Sequence, residues 1–252
     1  MPLSAVIITK NEAHIIEKAL QSLQGITSDI VIVDSGSTDG TQLIGKKYNA
    51  TIIETAWDGY GANKNKGNAV AANDWILSLD ADEAIDEELR LSLQQLDLTN
   101  EKTVYEVKRK SFFCNKLIRY GEWAGDRTIR LFNRNQANWN DAAVHESLVF
   151  ETGVKVVLLK GSLLHYTVNN VEEYMGKTMR YAKLSAEKYF AQGKKTNYFK
   201  IYFAPFFTFL QHYIFRLGFL DGHEGFLIAK TTARYTYLKY RYLEEMNSKV
   251  NG

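Results

Sequence analysis

Asp80-Ala81-Asp82-Glu83 stands directly after the apolar run Trp75-Ile76-Leu77-Ser78-Leu79, so carboxylates crowd the end of what reads as a buried strand. Like charges so placed repel unless a cation meets them. A divalent ion carrying a nucleotide suits the pattern. Hard cations such as Mg2+ and Mn2+ take oxygen ligands, and one or two carboxylates suffice when phosphates and waters fill the remaining positions. Such an ion neutralises charge building on a leaving diphosphate. Asp86, Glu87 and Glu88 read instead as the acidic opening of a helix. Glu83 fits either group.

Other polar residues fall at similar places. Thr9-Lys10-Asn11-Glu12 ends the apolar strand that starts at Leu3, and Asp34 directly follows the β-branched run Ile30-Val31-Ile32-Val33. In the loop that begins at Asp34, Gly36 and Gly40 permit tight turning, and Ser37, Thr38 and Asp39 can cap the next helix. Turn chemistry accounts for those residues without a ligand, whereas a carboxylate at Asp34 can meet the sugar or base of a nucleotide.

The elements that position these groups alternate. Helical patterns follow through Ile15–Leu23, Thr41–Tyr48 and Lys66–Ala72, and strand patterns through Ala50–Ile53 and Trp75–Leu79. That order predicts a parallel α/β sheet with ligand chemistry at the carboxyl ends of its strands. Val104–Arg109 alternates like a strand returning across the sheet, and Arg130-Leu131-Phe132 like one with a guanidinium on one face.

The segments Val6–Glu12, Val31–Thr41 and Leu79–Glu83, in this order and spacing, resemble glycosyltransferase family 2 over roughly residues 3–170. The resemblance implies a GT-A fold, a Rossmann-like nucleotide-diphospho-sugar transferase domain, and an inverting transfer of a sugar from a nucleoside diphosphate. Thr9, Glu12 and Asp34 would line the nucleoside pocket, Asp80 would face the ribose or a metal-bound water, and Asp82 would ligate the metal. Lys64, in Lys64-Asn65-Lys66-Gly67, would approach the donor, with a solvated basic turn as the alternative. Arg127 and Arg130 can grip phosphate or form structural salt bridges.

An inverting transfer needs a base for the acceptor hydroxyl. Glu146, in Trp139-Asn140-Asp141-Ala142-Ala143-Val144-His145-Glu146, matches the family position for that base, with Asp141 in reserve. His145 orients the acceptor, braces Glu146 or is a hydrogen-bonded loop residue. His165 ends the apolar run from Val154 through Leu164, where some GT-A enzymes contact the metal or diphosphate; a satisfied, partly buried histidine is the alternative. Imidazole suits Mn2+ better than Mg2+.

With 252 residues and two prolines, the chain fits one large domain, or a domain with an appendage. Its single cysteine, Cys114, excludes an internal disulfide framework, and the first residues lack the basic and long apolar regions of a secretory signal, so a reducing cytoplasm is expected. Residues 1–175 carry 18 Lys and Arg against 24 Asp and Glu, whereas residues 176–252 carry 13 against 5 and also hold 18 of the 32 aromatics. This asymmetry divides the chain into a catalytic domain, 1–170, and a helical, aromatic-rich region, 171–252.

Within the tail, Ile201–Phe215 has no charged residue other than His212, is shorter than the roughly 20 apolar residues that cross a bilayer, and is interrupted by Pro205. Flanking lysines and arginines make it suited to peripheral contact with an anionic membrane. The alternatives are packing onto the catalytic domain or onto a second subunit of a homo-oligomer. Nucleic acid is not expected, because the aromatics occupy long apolar runs. Phe219-Leu220-Asp221-Gly222-His223-Glu224-Gly225-Phe226 resembles the tail of lipopolysaccharide-core glycosyltransferases of the KdtX/WaaE type. That resemblance implies β-transfer of glucose from UDP-glucose to a heptose of the lipopolysaccharide inner core, at the inner face of the cytoplasmic membrane. A nucleotidyltransferase and a sugar-binding module without turnover are the competing classes.

Overall fold

The computed structural model describes residues 2–140, 146–168 and 170–250. Contacts divide the chain into two compact units, Met1–Lys110 with Asp126–His165, and Ser111–Gly125 with Tyr166–Gly252. Ser111–Gly125 thus groups with the C-terminal helices and not with the residues around it in sequence.

The first unit opens with β1 (Leu3–Thr9), buried at every position, as a strand covered on both faces must be. There follow α1 (Ile16–Ser22), β2 (Ile30–Asp34), α2 (Thr41–Lys47), β3 (Thr51–Glu54), α3 (Tyr60–Val70), β4 (Trp75–Asp80), β5 (Glu83–Ile85) and α4 (Glu87–Gln94). Next come β6 (Thr103–Phe113), whose end belongs to the second unit together with β7 (Lys116–Leu117), then β8 (Arg127–Asn133), β9 (Ala137–Trp139), β10 (Leu148–Phe150) and β11 (Lys155–Val168), the last three residues of which again belong to the second unit.

The main sheet runs β3-β2-β1-β4-β8-β6-β11-β5, with β7 paired to β6, and β9 and β10 form a separate ribbon. β1 to β4 are mutually parallel, whereas β8 lies antiparallel to β4 and β6, and β5 antiparallel to β11. The expected parallel sheet is therefore a mixed one. Parallel neighbours need a crossover long enough for a helix, which α1, α2 and α3 supply, while no α-helix separates β6 from β8.

One core lies beneath α1 and α4 and includes Ile7, Leu20, Ile32, Leu77 and Leu89; the other, beneath α3, includes Val6, Val33, Ile76, Phe132 and Trp139. Asp86 caps α4 as expected, accepting from the N–H of Leu89, and Glu87 and Glu88 occupy the first turn. Helix α3 begins at Tyr60, six residues before the sequence pattern. Its buried positions are Gly61, Asn63, Lys64, Gly67 and Asn68, so it carries no apolar stripe to betray it. A Cβ on Gly67 would come within 2.4 Å of Val6 Cγ1 and 2.9 Å of Val33 Cγ2. Glycine here lets the helix backbone settle directly on the sheet.

In the second unit, α5 (Val171–Ala191) and α6 (Tyr198–Leu210) pack against α7 (Gly222–Val250). Asn170 and Asn197 cap α5 and α6 through their side chains. Phe113, Ile118, Val168 and Ile228 form this unit's core, with Trp123 and Tyr174 against it. The buried Asp221 carboxylate accepts from the backbone N–H groups of Arg119 and Tyr120. Among the described residues no helix is long and apolar enough to cross a membrane.

Candidate active site

Strand register brings the first site residues together. Thr9 lies opposite Asp34 between β1 and β2, and Ile8 opposite Asp80 between β1 and β4, so these polar groups share one end of the parallel strands. The loops beyond β1 and β2 are stitched to one another. Asn11 accepts from the N–H of Thr38, Ser37 Oγ from that of Asn11, Thr41 Oγ1 from that of Glu12, and Asp39 from that of Ala13. The Thr41 hydroxyl, against a small cost of burial, and then the Ala13 and Thr41 amides hold the Asp39 carboxyl below its ordinary range. Ser37, Thr38 and Asp39 therefore do structural work for the loop pair. Glu12, half-buried, lies 3.8 Å from His14 Nε2.

Asp34 is fully buried. Its Oδ1 accepts from the N–H groups of Gly36 and Ser37 at 2.9 and 2.7 Å and from Gln42 Nε2 at 3.2 Å. Its Oδ2 has no hydrogen-bond partner among the described residues, and neither do the buried Thr9 Oγ1 and Asn63 Oδ1. Buried acceptors without donors are costly. Donors on a ligand, such as base N–H or ribose O–H groups, would complete them.

Helix α3 carries Asn63 and Lys64 to the same region. Asn65 exchanges two hydrogen bonds with the backbone of Trp139, fastening α3 to β9, and a Cβ on Gly61 would strike Asn140 O at 1.9 Å. This close docking puts Lys64, 1% exposed, between two carboxylates: its Nζ is 2.9 Å from Glu146 Oε1 and 3.2 Å from Asp80 Oδ1, and 4.5 Å from the centre of the Trp139 ring. The solvated basic turn is excluded for this lysine.

Asp80 meets a second cation, Arg130 Nη2, at 2.7 Å, and the same nitrogen lies 2.6 Å from Glu83 Oε1. Glu83 is completely buried; its Oε2 accepts from the Asp80 N–H, and Arg109 lies 3.7 Å from its Oε1 and bonds to Asp126. Burial by itself would raise the Asp80 pKa, but the guanidinium of Arg130 and the ammonium of Lys64 outweigh it and hold the carboxyl well below the usual range. Burial likewise opposes the Arg130 charge, yet Asp80 and Glu83 keep its pKa above the ordinary value. Arg130 makes the structural salt bridge, the second of its two sequence readings, through Nη2, while its buried Nε has no partner among the described residues. Arg127 is not brought here; it is half-exposed and 3.6 Å from Glu106.

Asp82 is handled differently from Asp80. Its Oδ2 lies 3.2 Å from His165 Nε2, both side chains partly exposed. At that distance the carboxylate and imidazole form a direct pair, and both are side-chain types that a divalent cation takes as ligands. Among the described residues no group of three His, Cys, Asp or Glu side chains could hold an ion alone. The remaining positions would fall to phosphate and water. Asp141 and His145 lie outside the described residues.

The sequence reading passed over Asn63, Trp139, Arg109 and the anchoring role of Glu83. Glycines at 61 and 67 flanking Asn63 and Lys64 were the available signal for a polar helix face in close contact.

The pattern of Glycosyl transferase family 2 matches residues 4–153. The uncharacterized glycosyltransferase RT0209 of Rickettsia typhi is 30% identical, over 98% of this chain and 88% of its own length. The lipopolysaccharide core biosynthesis glycosyltransferase LpsC of Rhizobium meliloti is 34% identical, over 94% of this chain and 90% of its own. Among solved structures, S. aureus TarS 1-349 in complex with UDP-GlcNAc is 17% identical and covers 99% of this chain and 92% of that one, with a TM-score of 0.49. Since the family pattern spans residues 4–153, which include Asp34, Lys64, the acidic motif and Glu146, the chain belongs to glycosyl transferase family 2 and has its GT-A catalytic fold.

Proposed function

We propose that this protein transfers glucose from UDP-glucose, with inversion, to a heptose of the lipopolysaccharide inner core. The observation that carries the reading is the placement of Lys64, which joins Glu146 to Asp80 of the acidic motif. The candidate base and the donor-side carboxylates thereby stand one ammonium apart. The 34% identity to LpsC supports a lipopolysaccharide-core acceptor. That acceptor is carried on lipid, which puts the protein at the cytoplasmic face of the membrane.

In this reading Asp34 Oδ2 and Thr9 Oγ1 receive the donors of the nucleoside, with Glu12 at the pocket edge. Glu146 takes the acceptor hydroxyl proton as the oxygen bonds to the anomeric carbon and the bond from that carbon to the diphosphate oxygen breaks, releasing UDP. Lys64 aims the Glu146 carboxylate through Oε1; Oε2 has no partner among the described residues. Asp141 stands in reserve as base. Asp80, engaged by Arg130 and Lys64, supports the site from behind and faces the ribose. Asp82 and His165 would hold a divalent metal, Mn2+ or Mg2+, which when bound would supply charge neutralisation for the leaving diphosphate; the imidazole favours Mn2+.

The test is a screen of UDP-sugars against purified, truncated lipopolysaccharide, with linkage analysis of each product. Transfer only from a donor other than UDP-glucose overturns the sugar assignment. Glu146→Gln should abolish transfer while UDP still binds, and unchanged turnover overturns the base assignment.

A further inference from the structure

From Lys188 to Leu220 the chain carries five cations, Lys188, Lys194, Lys195, Lys200 and Arg216, and no carboxylate. All five are exposed. Within this acid-free stretch α6 turns its rings to solvent. Tyr198, Tyr202 and Phe206 form one row spaced by four residues, and Phe199, Phe203 and Phe207 form the next, each ring between 49% and 73% exposed. At 3.6 residues per turn the two rows together cover about half the helix circumference. Of α6 only Ile201 is fully buried.

The apolar surface continues past the helix. A π-helical turn, Gln211–Phe215, leads to Leu217 in the left-handed region and a short 3-10 turn, Gly218–Asp221, leaving Ile214, Phe215, Leu217, Phe219 and Leu220 exposed as well. This turn is firmly built. Phe209, Tyr213 and Phe226 pack with ring centroids 5.1 to 6.0 Å apart, and a Cβ on Gly225 would come within 1.9 Å of Gly218 O. The exposed rings are held outward by an ordered support, and a cluster of exposed apolar side chains of this size marks a contact surface.

The charges around the patch select its occupant. Protein interfaces are depleted of lysine, whereas here four lysines and one arginine accompany the rings in a run of sequence that holds no acid. Carboxylates stand outside that run, Glu187 beside Lys188, and Glu244 and Glu245 on α7. Aromatic rings with an excess of cations match the acyl boundary and headgroups of an anionic bilayer. We infer that α6 and the turn after it, residues 198–220, lie in the plane of an anionic phospholipid surface, with the rings in the acyl boundary and the five cations among the headgroups. This deepens the proposed function by giving the lipid-borne acceptor a surface on which to be met.

The test is co-sedimentation of the full chain with vesicles of phosphatidylglycerol and phosphatidylethanolamine, and with vesicles of phosphatidylcholine alone. The intact protein should partition to the anionic vesicles. Replacing Phe199, Phe203 and Phe207 with serine should cut that partition at least about 100-fold, since burial of one such ring is worth roughly tenfold or more. Lys194→Glu with Lys195→Glu should cut it about tenfold or more, because each surface cation contributes about 1 kcal/mol in binding. The thermal midpoint should hold in each variant, since these side chains are exposed. A separate reporter, Phe203→Trp, should shift to the blue on anionic vesicles. Equal binding to both vesicle types, or serine variants that bind as tightly as the parent, overturns the inference. So does a dimer in sedimentation that the serine variants dissociate while no vesicle binds. Binding is read without donor or turnover, so its failure and that of the proposed transfer are separate results.

Discussion

The Lys64 ammonium lies 2.9 Å from the Glu146 carboxylate, with the lysine 1% exposed and the glutamate 18%. The two residues stand 82 positions apart, on α3 and just after the β9 strand. Removing one member of a buried pair leaves the other charge unpaired, a loss of about 3–5 kcal/mol. Lys64→Met is therefore expected to lower stability by that order, read from urea midpoints. Glu146→Gln should cost less, because the amide oxygen still accepts from Nζ. Combining them should give less than the sum, by about 1–3 kcal/mol for residues in direct contact. Strict additivity would show that the pair does not interact.

How far this could be read beforehand depended on how each residue announces itself. Asp34 and Asp80 follow apolar runs, and a buried parallel strand is written in sequence as such a run, so the first four strands and the carboxylates at their ends were legible, whereas the antiparallel half of the sheet was not. Helix α3 was not, because its buried face is Gly, Asn and Lys. Its packing is carried by missing side chains, which periodicity does not register. Likewise, Arg130 differs from Arg127 only by position in one strand. Which of them turns inward to Asp80 and Glu83 is decided by strand pairing, a long-range fact.

Asp34 offers a sharper test of the nucleoside pocket. Asp34→Asn keeps an oxygen toward Gly36 and Ser37 but puts an N–H2 where Oδ2 now lacks a partner. A base N–H would then face a donor. Loss of a charge-assisted hydrogen bond is worth about 1.5–3 kcal/mol, so UDP affinity by calorimetry should fall roughly 10- to 150-fold with little change in thermal midpoint. Undiminished binding would remove Asp34 from the pocket.

Asp82 and His165 should govern the response to metal. If they share the cation, chelation lowers UDP affinity in the parent protein, and Mn2+ restores it. Loss of a supporting group around a metal typically weakens its affinity about 10- to 100-fold, and loss of a direct ligand should do at least as much. Asp82→Asn and His165→Ala are each expected to raise the Mn2+ concentration needed for half-maximal UDP binding by that factor. A variant that titrates with Mn2+ as the parent does would remove its residue from the metal site.

Asp80 makes the fold sensitive to acid in a defined direction. Burial pushes its pKa up, but Arg130 and then Lys64 hold it well below the ordinary carboxylate range. The unfolded chain regains a pKa near 3.9. A depressed native pKa stabilises the protein above the unfolded value, and the contribution is lost as pH falls, because the unfolded chain then takes up a proton that the native state refuses. Unfolding free energy should thus decline from about pH 5 downward, with Asp80 adding up to about 1.4 kcal/mol per pH unit. In Asp80→Asn that slope should be shallower by up to one proton, with Asp39 and Asp86, also lowered, supplying part of what remains. Urea midpoints between pH 5 and 3 measure the difference. Parallel curves for parent and variant would mean that Arg130 and Lys64 do not hold this carboxylate ionised in the folded state.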